Sequence, residues 1–171
     1  IPADLGTMEG VAGLVSELAS REPELHILVN NAGANWGAPL DEFPEAGWDK
    51  VMDLNLKSIF FLTRDLLPLL RKAGRAADPA RVINIGSIDG LHVPILDTYA
   101  YSAAKAGLHH LTRVLARRLA GENVNVNAIA PGPFESQMMK ATLARFGEMI
   151  RKSNPRGRIG EPEDVAGTAI Y

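Results

Sequence analysis

The chain has 171 residues, 46% of them hydrophobic and 22% charged, with 18 basic against 20 acidic side chains and a net charge of −2. That is the composition of one globular domain; its charge balance removes the electrostatic case for a nucleic-acid binder, and the absence of cysteine excludes disulfides, thiolate metal sites and a thiol nucleophile. No apolar run approaches the roughly 20 residues needed to cross a bilayer, no signal peptide opens the chain, and a cytoplasmic location without a membrane partner is expected.

The first helical pattern covers about residues 8–20, with Thr7 as N-cap and Glu9 in the first turn. Gly6, Gly10 and Gly13 read as glycines tolerated around that helix. Only five residues precede Gly6, too few for the strand that a glycine-rich phosphate loop requires. A short apolar run at 25–29 predicts the first strand. The second helix is expected over 47–72, with Trp48, Met52, Asn55, Ile59, Leu62 and Leu66 on one face. Between Leu54 and Leu70 ten of seventeen residues are apolar, more than one stripe against a sheet requires, so this helix is expected to be buried on two sides and to form a subunit interface. Pro68 should kink or shorten its last turns.

A second strand is predicted over 81–85, a third helix over 98–120 with Gly121 as its stop, and a third strand over 124–129. The turn at 130–133 leads to a Met-rich amphipathic segment over 137–152. Pro155, Gly157, Gly160 and Pro162 break that segment before a last helix near Glu163. Strands alternating with long helices predict an α/β fold, a parallel sheet with helices on its faces. Ile1 stands where an initiator Met is usual and the last helix stops at Tyr171 in mid-pattern, so the expectation is a piece of a longer chain whose first strand would show a hydrophobic edge.

In such sheets ligands bind beyond the carboxyl ends of the strands. All three predicted strands end in unusual sequence there: Asn30-Asn31-Ala32-Gly33, Gly86-Ser87 and Pro131-Gly132. Fourteen residues after Ser87 comes Tyr101, followed by Lys105. Four residues of helix advance about 6 Å and overshoot a full turn by about 40°, so both side chains share a face. An ammonium beside a phenol favours the phenolate. A phenol so tuned, with a Ser hydroxyl to hold a carbonyl oxygen, can exchange a proton with oxygen while hydride moves at carbon.

Asn30 to Gly33, Asn55, Ser87, Tyr101 with Lys105, and Pro131-Gly132 stand in the order of the motif series of the short-chain dehydrogenase/reductase family, which the chain resembles over all 171 residues. The stretches 1–5 and 99–105 look most like the 3-oxoacyl reductases, including the rhamnolipid-pathway kind. The resemblance implies a Rossmann-type doubly wound parallel sheet, one dinucleotide-binding and catalytic domain over 1–171, incomplete at both ends: the glycine-rich pyrophosphate unit and the last strand are lacking. It implies that Tyr101 is the general acid/base, that Lys105 depresses its pKa and holds the nicotinamide ribose, that Ser87 orients the substrate carbonyl, and that Asn55 anchors a water in a relay to Lys105. Cofactor contacts are implied for Asp4 and Leu5 at adenine, for Asn31, Ala32 and Gly33 along the nucleotide, and for Pro131, Gly132, Phe134 and Ser136 near the carboxamide. Ser136 replaces the usual Thr.

The implied coenzyme is NADP or NAD, with NADP slightly favoured, and the implied assembly a homotetramer. The favoured reaction is reduction of a 3-oxoacyl thioester, in fatty-acid metabolism. Sugar, polyol or other small-ketone oxidoreduction is the alternative, and a catalytically silent dinucleotide-binding scaffold a third reading that intact Ser87, Tyr101 and Lys105 argue against.

Other features carry blander readings. The sequence around Ser87 lacks the G-x-S-x-G elbow of a serine hydrolase. His26, His92, His109 and His110 lack metal-ligand spacing, and no metal is expected. His92 and Met138 are candidate substrate contacts beside Ser87 and Tyr101. Tyr99 is placed on the pocket wall. Met138, Met139, Leu143, Phe146, Met149 and Ile150 read equally as helix packing or as an adaptable apolar lid. Residues 133–160 carry six Lys or Arg against two Glu, a face that is solvated in the ordinary case and otherwise offers an acyl-carrier-linked substrate a cationic surface.

Overall fold

The computed structural model describes residues 1–170; Tyr171 lies outside the described residues. Three strands, β1 (Ile27–Asn30), β2 (Ala80–Ile85) and β3 (Val124–Ile129), form a parallel sheet in the order β1-β2-β3. Val29 pairs with Ile83, and Ile83 with Asn127. The helices are α1 (Met8–Arg21), α2 (Glu45–Met52), α3 (Ser58–Ala73), α4 (Tyr99–Leu119), α5 (Lys140–Ser153) and α6 (Pro162–Ile170). The expected α/β fold with a parallel sheet is present.

Thr7 caps α1 as its sequence position implies, its hydroxyl accepting from the Gly10 amide at 3.0 Å. Gly10 is more than tolerated there. A Cβ on it would overlap the Asp4 carbonyl oxygen, because the entering loop lies directly on the helix.

The expected single helix over 47–72 is divided. One π turn, Asp53–Lys57, separates α2 from α3. Asn55 sits in that turn and its side-chain amide bonds back to the Val51 carbonyl at 2.8 Å. A hydrophobic pattern with a period near 3.6 cannot reveal a one-residue π insertion, because the apolar face continues on both sides of it. Pro68 neither ends nor shortens the helix, which runs on to Ala73. The proline is on the exposed side, where the carbonyl deprived of its donor meets water.

The second apolar face of α3 is taken within the chain. Leu62, Leu66 and Leu69 pack with Val11, Met8, Leu14 and Leu18 of α1, while Leu70 and Ala73 join Val82, Val124, Val126 and Leu119 between the helices and the sheet. The apolar excess expected to serve a subunit interface therefore belongs largely to a helix-on-helix layer. Phe60 on α3 and Val114 on α4 remain 38% and 50% exposed, as does Trp48, expected inside but 40% exposed on α2.

The sheet's two faces differ. Leu28, Ala80, Val82, Val124 and Val126 pack in one apolar core with residues of α3 and α4. On the other face Ile27 and Val29 are half exposed. Helices cover one face more fully than the other.

The end of α4 also departs from expectation. A short 3-10 turn, Ala120–Glu122, follows it, and the left-handed residue is Asn123, with φ 57°, rather than Gly121. The last helix begins at Pro162, anchored where Arg158 meets the Asp164 carboxylate with two bonds of 2.7 and 2.8 Å.

Candidate active site

The carboxyl end of β2 is held to α4 by side chains in register. Thr112, Lys105 and Tyr101 lie on one side of α4, and each reaches a successive part of the strand exit. The Thr112 hydroxyl accepts from the Asn84 amide at 2.9 Å, and the Lys105 ammonium donates to the Ile85 carbonyl at 2.7 Å. The Tyr101 hydroxyl faces Ser87, which lowers its pKa. The same polar layer continues into β1, where the Asn30 amide donates to Asn84 at 2.8 Å and to Thr63 on α3 at 3.3 Å. Asn30, Thr63, Asn84 and Thr112 are all buried. A buried polar chain of this kind is tolerable only when its members bond one another.

Ser87 begins a 3-10 turn, Ile88–Gly90, and its hydroxyl accepts from the Asp89 amide at 3.1 Å. That bond, together with Tyr101, orients the oxygen toward the rim. Lys105 is 4% exposed, and burial lowers its ammonium to about 8. Its nitrogen lies 5.5 Å from the centre of the Tyr101 ring.

One electrostatic expectation is overturned. The Tyr101 phenol is raised rather than depressed, because burial disfavours the phenolate; the Ser87 hydroxyl opposes this and Asp89 adds to it. Lys105 directs its ammonium at the Ile85 carbonyl, so its charge is not spent on the phenolate in this arrangement. Asp89 is itself raised by burial.

Asn55, fully buried, ties the π turn to the loop after β1 by donating to the Ala34 carbonyl at 2.7 Å. Its Oδ1 has no hydrogen-bond partner among the described residues. Gly33 explains why the loop can come so close. An ideal Cβ on it would lie 2.7 Å from Asn55 Oδ1 and 3.9 Å from Lys105 Nζ, so any side chain would fill the gap that these two polar atoms face.

The remaining expected residues divide by location. Asn31, Ala32 and Gly33 are exposed on the rim. Pro131 accepts from the Ile88 amide at 3.1 Å, and Gly132 approaches the Ile88 side chain, which brings this loop beside the Ser87 turn. Phe134 packs on the Gly160 backbone and Ser136 accepts from the Met139 amide at 3.2 Å. Asp4 and Leu5 are at the start of α1: Asp4 accepts from the Gly6 amide at 2.9 Å and Leu5 packs on the α1–α3 layer. His92 is exposed just after the Ser87 turn, its amide on the Ile88 carbonyl, and Met138 is 42% exposed. Tyr99 points away from Tyr101: its hydroxyl donates to Asp97 at 2.9 Å and its ring meets Phe43 edge-on at 5.7 Å.

Sequence reasoning missed Thr63, Asn84, Thr112 and the ring of His109. Their signal is positional, since His109 and Thr112 follow Lys105 by one and two helical turns.

Among the described residues no three His, Asp or Glu side chains converge as metal ligands, and no helix is long and apolar enough to cross a membrane.

The family model described as enoyl-(acyl carrier protein) reductase matches residues 1–171. The rhamnolipids biosynthesis 3-oxoacyl-[acyl-carrier-protein] reductase of Pseudomonas aeruginosa is 48% identical over 99% of this chain and 67% of its own length. A 2-dehydro-3-deoxy-D-gluconate 5-dehydrogenase of Dickeya dadantii is 36% identical over 100% of this chain and 67% of its own. The solved Pseudomonas aeruginosa RhlG/NADP active-site complex superposes with a TM-score of 0.94 at 48% identity, covering 99% of this chain and 67% of that one. The chain thus spans about two thirds of the length of these relatives. With the Ser87, Tyr101 and Lys105 cluster at the exit of a parallel sheet, these likenesses place the chain in the short-chain dehydrogenase/reductase family of NAD(P)-dependent oxidoreductases.

Proposed function

We propose that the enzyme reduces a 3-oxoacyl thioester to the 3-hydroxyacyl thioester, with Tyr101 giving the proton to the carbonyl oxygen. The observation that carries this reading is the placing of Ser87, at the mouth of β2, where its hydroxyl pulls the Tyr101 phenol down against the effect of burial, with the Lys105 nitrogen 5.5 Å from the centre of the same ring. Ser87 holds the carbonyl oxygen where the Tyr101 proton can reach it. A raised phenol is protonated at neutral pH, which is the state a reduction requires.

The residues present fit the nicotinamide end of the coenzyme. Lys105 has one hydrogen-bond acceptor among the described residues, leaving two ammonium protons for the ribose hydroxyls. Gly33 leaves open the gap between Asn55 and Lys105, and a water there would relay a proton from bulk to Lys105, from which the Tyr101 phenolate left by the reduction is reprotonated. When bound, the coenzyme supplies the hydride. Asn31, Ala32 and Gly33 with Pro131, Gly132, Phe134 and Ser136 border the nicotinamide half, and Asp4 and Leu5 the adenine. NADP is the coenzyme favoured, on the likeness to the NADP complex.

An acyl chain is favoured over a sugar by the loop between Ser87 and Tyr101. Leu91, Val93 and Ile95 are 52%, 95% and 88% exposed there, an apolar surface with which a polyhydroxylated substrate gains nothing. Met138 is a further candidate contact for the acyl chain, and the exposed His92 one for the thioester. The exposed Phe60 and Val114 are the surfaces on which a homotetramer would assemble. The likeness to a gluconate 5-dehydrogenase keeps a sugar substrate as the second reading.

Loss of NADPH absorbance with acetoacetyl-CoA, run against NADH and against a panel of keto-sugars and polyols, tests the proposal. Turnover with the thioester at least tenfold above any sugar supports it. A preference for a sugar acid replaces it with the second reading, and no turnover with any carbonyl would favour the silent scaffold.

A further inference from the structure

Gly86 donates to the Ile129 carbonyl at 2.8 Å and Ile88 to the Pro131 carbonyl at 3.1 Å. The Ser87 amide and carbonyl between them bond to neither of those segments. The imidazole of His109 meets them instead. Its Nε2 lies 3.0 Å from the Ser87 carbonyl oxygen and 3.4 Å from the Ser87 amide nitrogen. His109 follows Lys105 by four residues, so the two basic side chains grip alternate positions of one extended segment, Ile85 and Ser87.

The ring has little freedom to be elsewhere. A Cβ on Gly86 would strike its edge, and one on Gly90 would lie 2.9 Å from its Cδ2, so two glycines enclose it between the strand exit and the 3-10 turn. The residue is 8% exposed. A single nitrogen cannot both donate to the carbonyl and accept from the amide. The shorter contact is the carbonyl, which also accepts from the Gly90 amide at 3.1 Å; the two donors use both of its lone pairs.

We propose that His109 is a positioning residue: donating from Nε2 to the Ser87 carbonyl, it fixes the Ser87 peptide so that the hydroxyl stays against Tyr101. The inference rests on the proposed role of Ser87, and the experiment separates the two. Turnover and NADPH affinity are measured for His109→Leu, His109→Gln and Ser87→Ala in the intact enzyme. Leu fills the space without a donor; the Gln amide places a donor near the position of Nε2.

The expected result is a kcat lowered about 10- to 100-fold in His109→Leu, the scale of a misplacement near 1 Å. NADPH affinity should stay within twofold, and His109→Gln should recover kcat to within about threefold of the parent. Nitrogen-15 NMR of the unmodified enzyme should show the ring carrying a proton on Nε2 that is protected from exchange, a readout that needs no folded variant and no turnover. A kcat for His109→Leu within threefold of the parent, no recovery by a folded His109→Gln, or a ring protonated at Nδ1 alone would overturn the proposal. Unchanged activity in Ser87→Ala would instead overturn the reading of Ser87.

Discussion

Helix α4 meets the sheet in two chemically opposite ways. Near its carboxyl end Leu115, Ala116 and Leu119 press on Val82, Val124 and Val126, with Leu70 and Ala73 of α3 closing the layer. Nearer its amino end the same helix meets the same strand through Thr112, His109, Lys105 and Tyr101. The lower region buries apolar surface, worth about 25 cal/mol per Å². The upper region buries amides, hydroxyls, an imidazole and an ammonium, and each gains little net free energy even when paired. Stability and chemistry are thus separated along one helix.

If the comparison is sound, changes at the upper end should remove activity with small losses of stability, and changes at the lower end should do the reverse. The largest effect is expected for Tyr101→Phe, which deletes the transferable proton: kcat should fall by about 10²- to 10⁴-fold, with NADPH affinity and melting temperature nearly unchanged. Steady-state kinetics beside fluorescence titration checks both halves. Activity within tenfold of the parent would remove Tyr101 from its role.

Leu70→Ala should act in the opposite sense. Its side chain is fully buried, and truncation should lower the unfolding free energy by about 2 to 5 kcal/mol while kcat per folded molecule stays within twofold. Denaturant unfolding with active-site titration measures this. A folded variant with much reduced kcat would mean that the two regions are coupled.

Thr112→Val should give a smaller and mixed result, because Thr112 lies at the boundary. Losing the acceptor for the Asn84 amide leaves a buried donor unpaired, at a cost of about 1 to 3 kcal/mol. Any kinetic change should be modest and confined to kcat. An unchanged stability would show that the Asn30–Asn84–Thr112 chain is not the constraint its geometry implies.

How far the sequence reveals these regions follows from the same division. The lower one is written in periodicity, so the strands, α1 with its Thr7 cap and α4 are read within a few residues. The upper one is legible only where residue types are unusual for their position, as with Ser87, Tyr101, Lys105 and Gly33. His109 and Thr112 look like ordinary helix residues until the strand exit is placed beside them. The π turn at Asp53–Lys57 is silent for a similar reason: it changes which way Asn55 points without interrupting the hydrophobic pattern. The role of α1 in covering α3 is a matter of tertiary arrangement, which is why the apolar excess of that helix reads as an intermolecular surface.

The central claim, that a charged group is kept buried at the upper end for function and against stability, is tested most directly by Lys105→Met. In the native state burial lowers the ammonium from 10.5 to about 8, so between those values the unfolded chain binds more protons and native stability should rise with pH; below pH 8 the full penalty, about 3 kcal/mol at 1.36 kcal/mol per unit, is present. Chemical denaturation from pH 7 to 10.5 should therefore show Lys105→Met more stable than the parent by about 1 to 3 kcal/mol at pH 7, with the gap closing as pH approaches 10.5, while turnover and NADPH affinity are both strongly reduced. A variant less stable at pH 7, or one that binds NADPH as the parent does, would contradict the account.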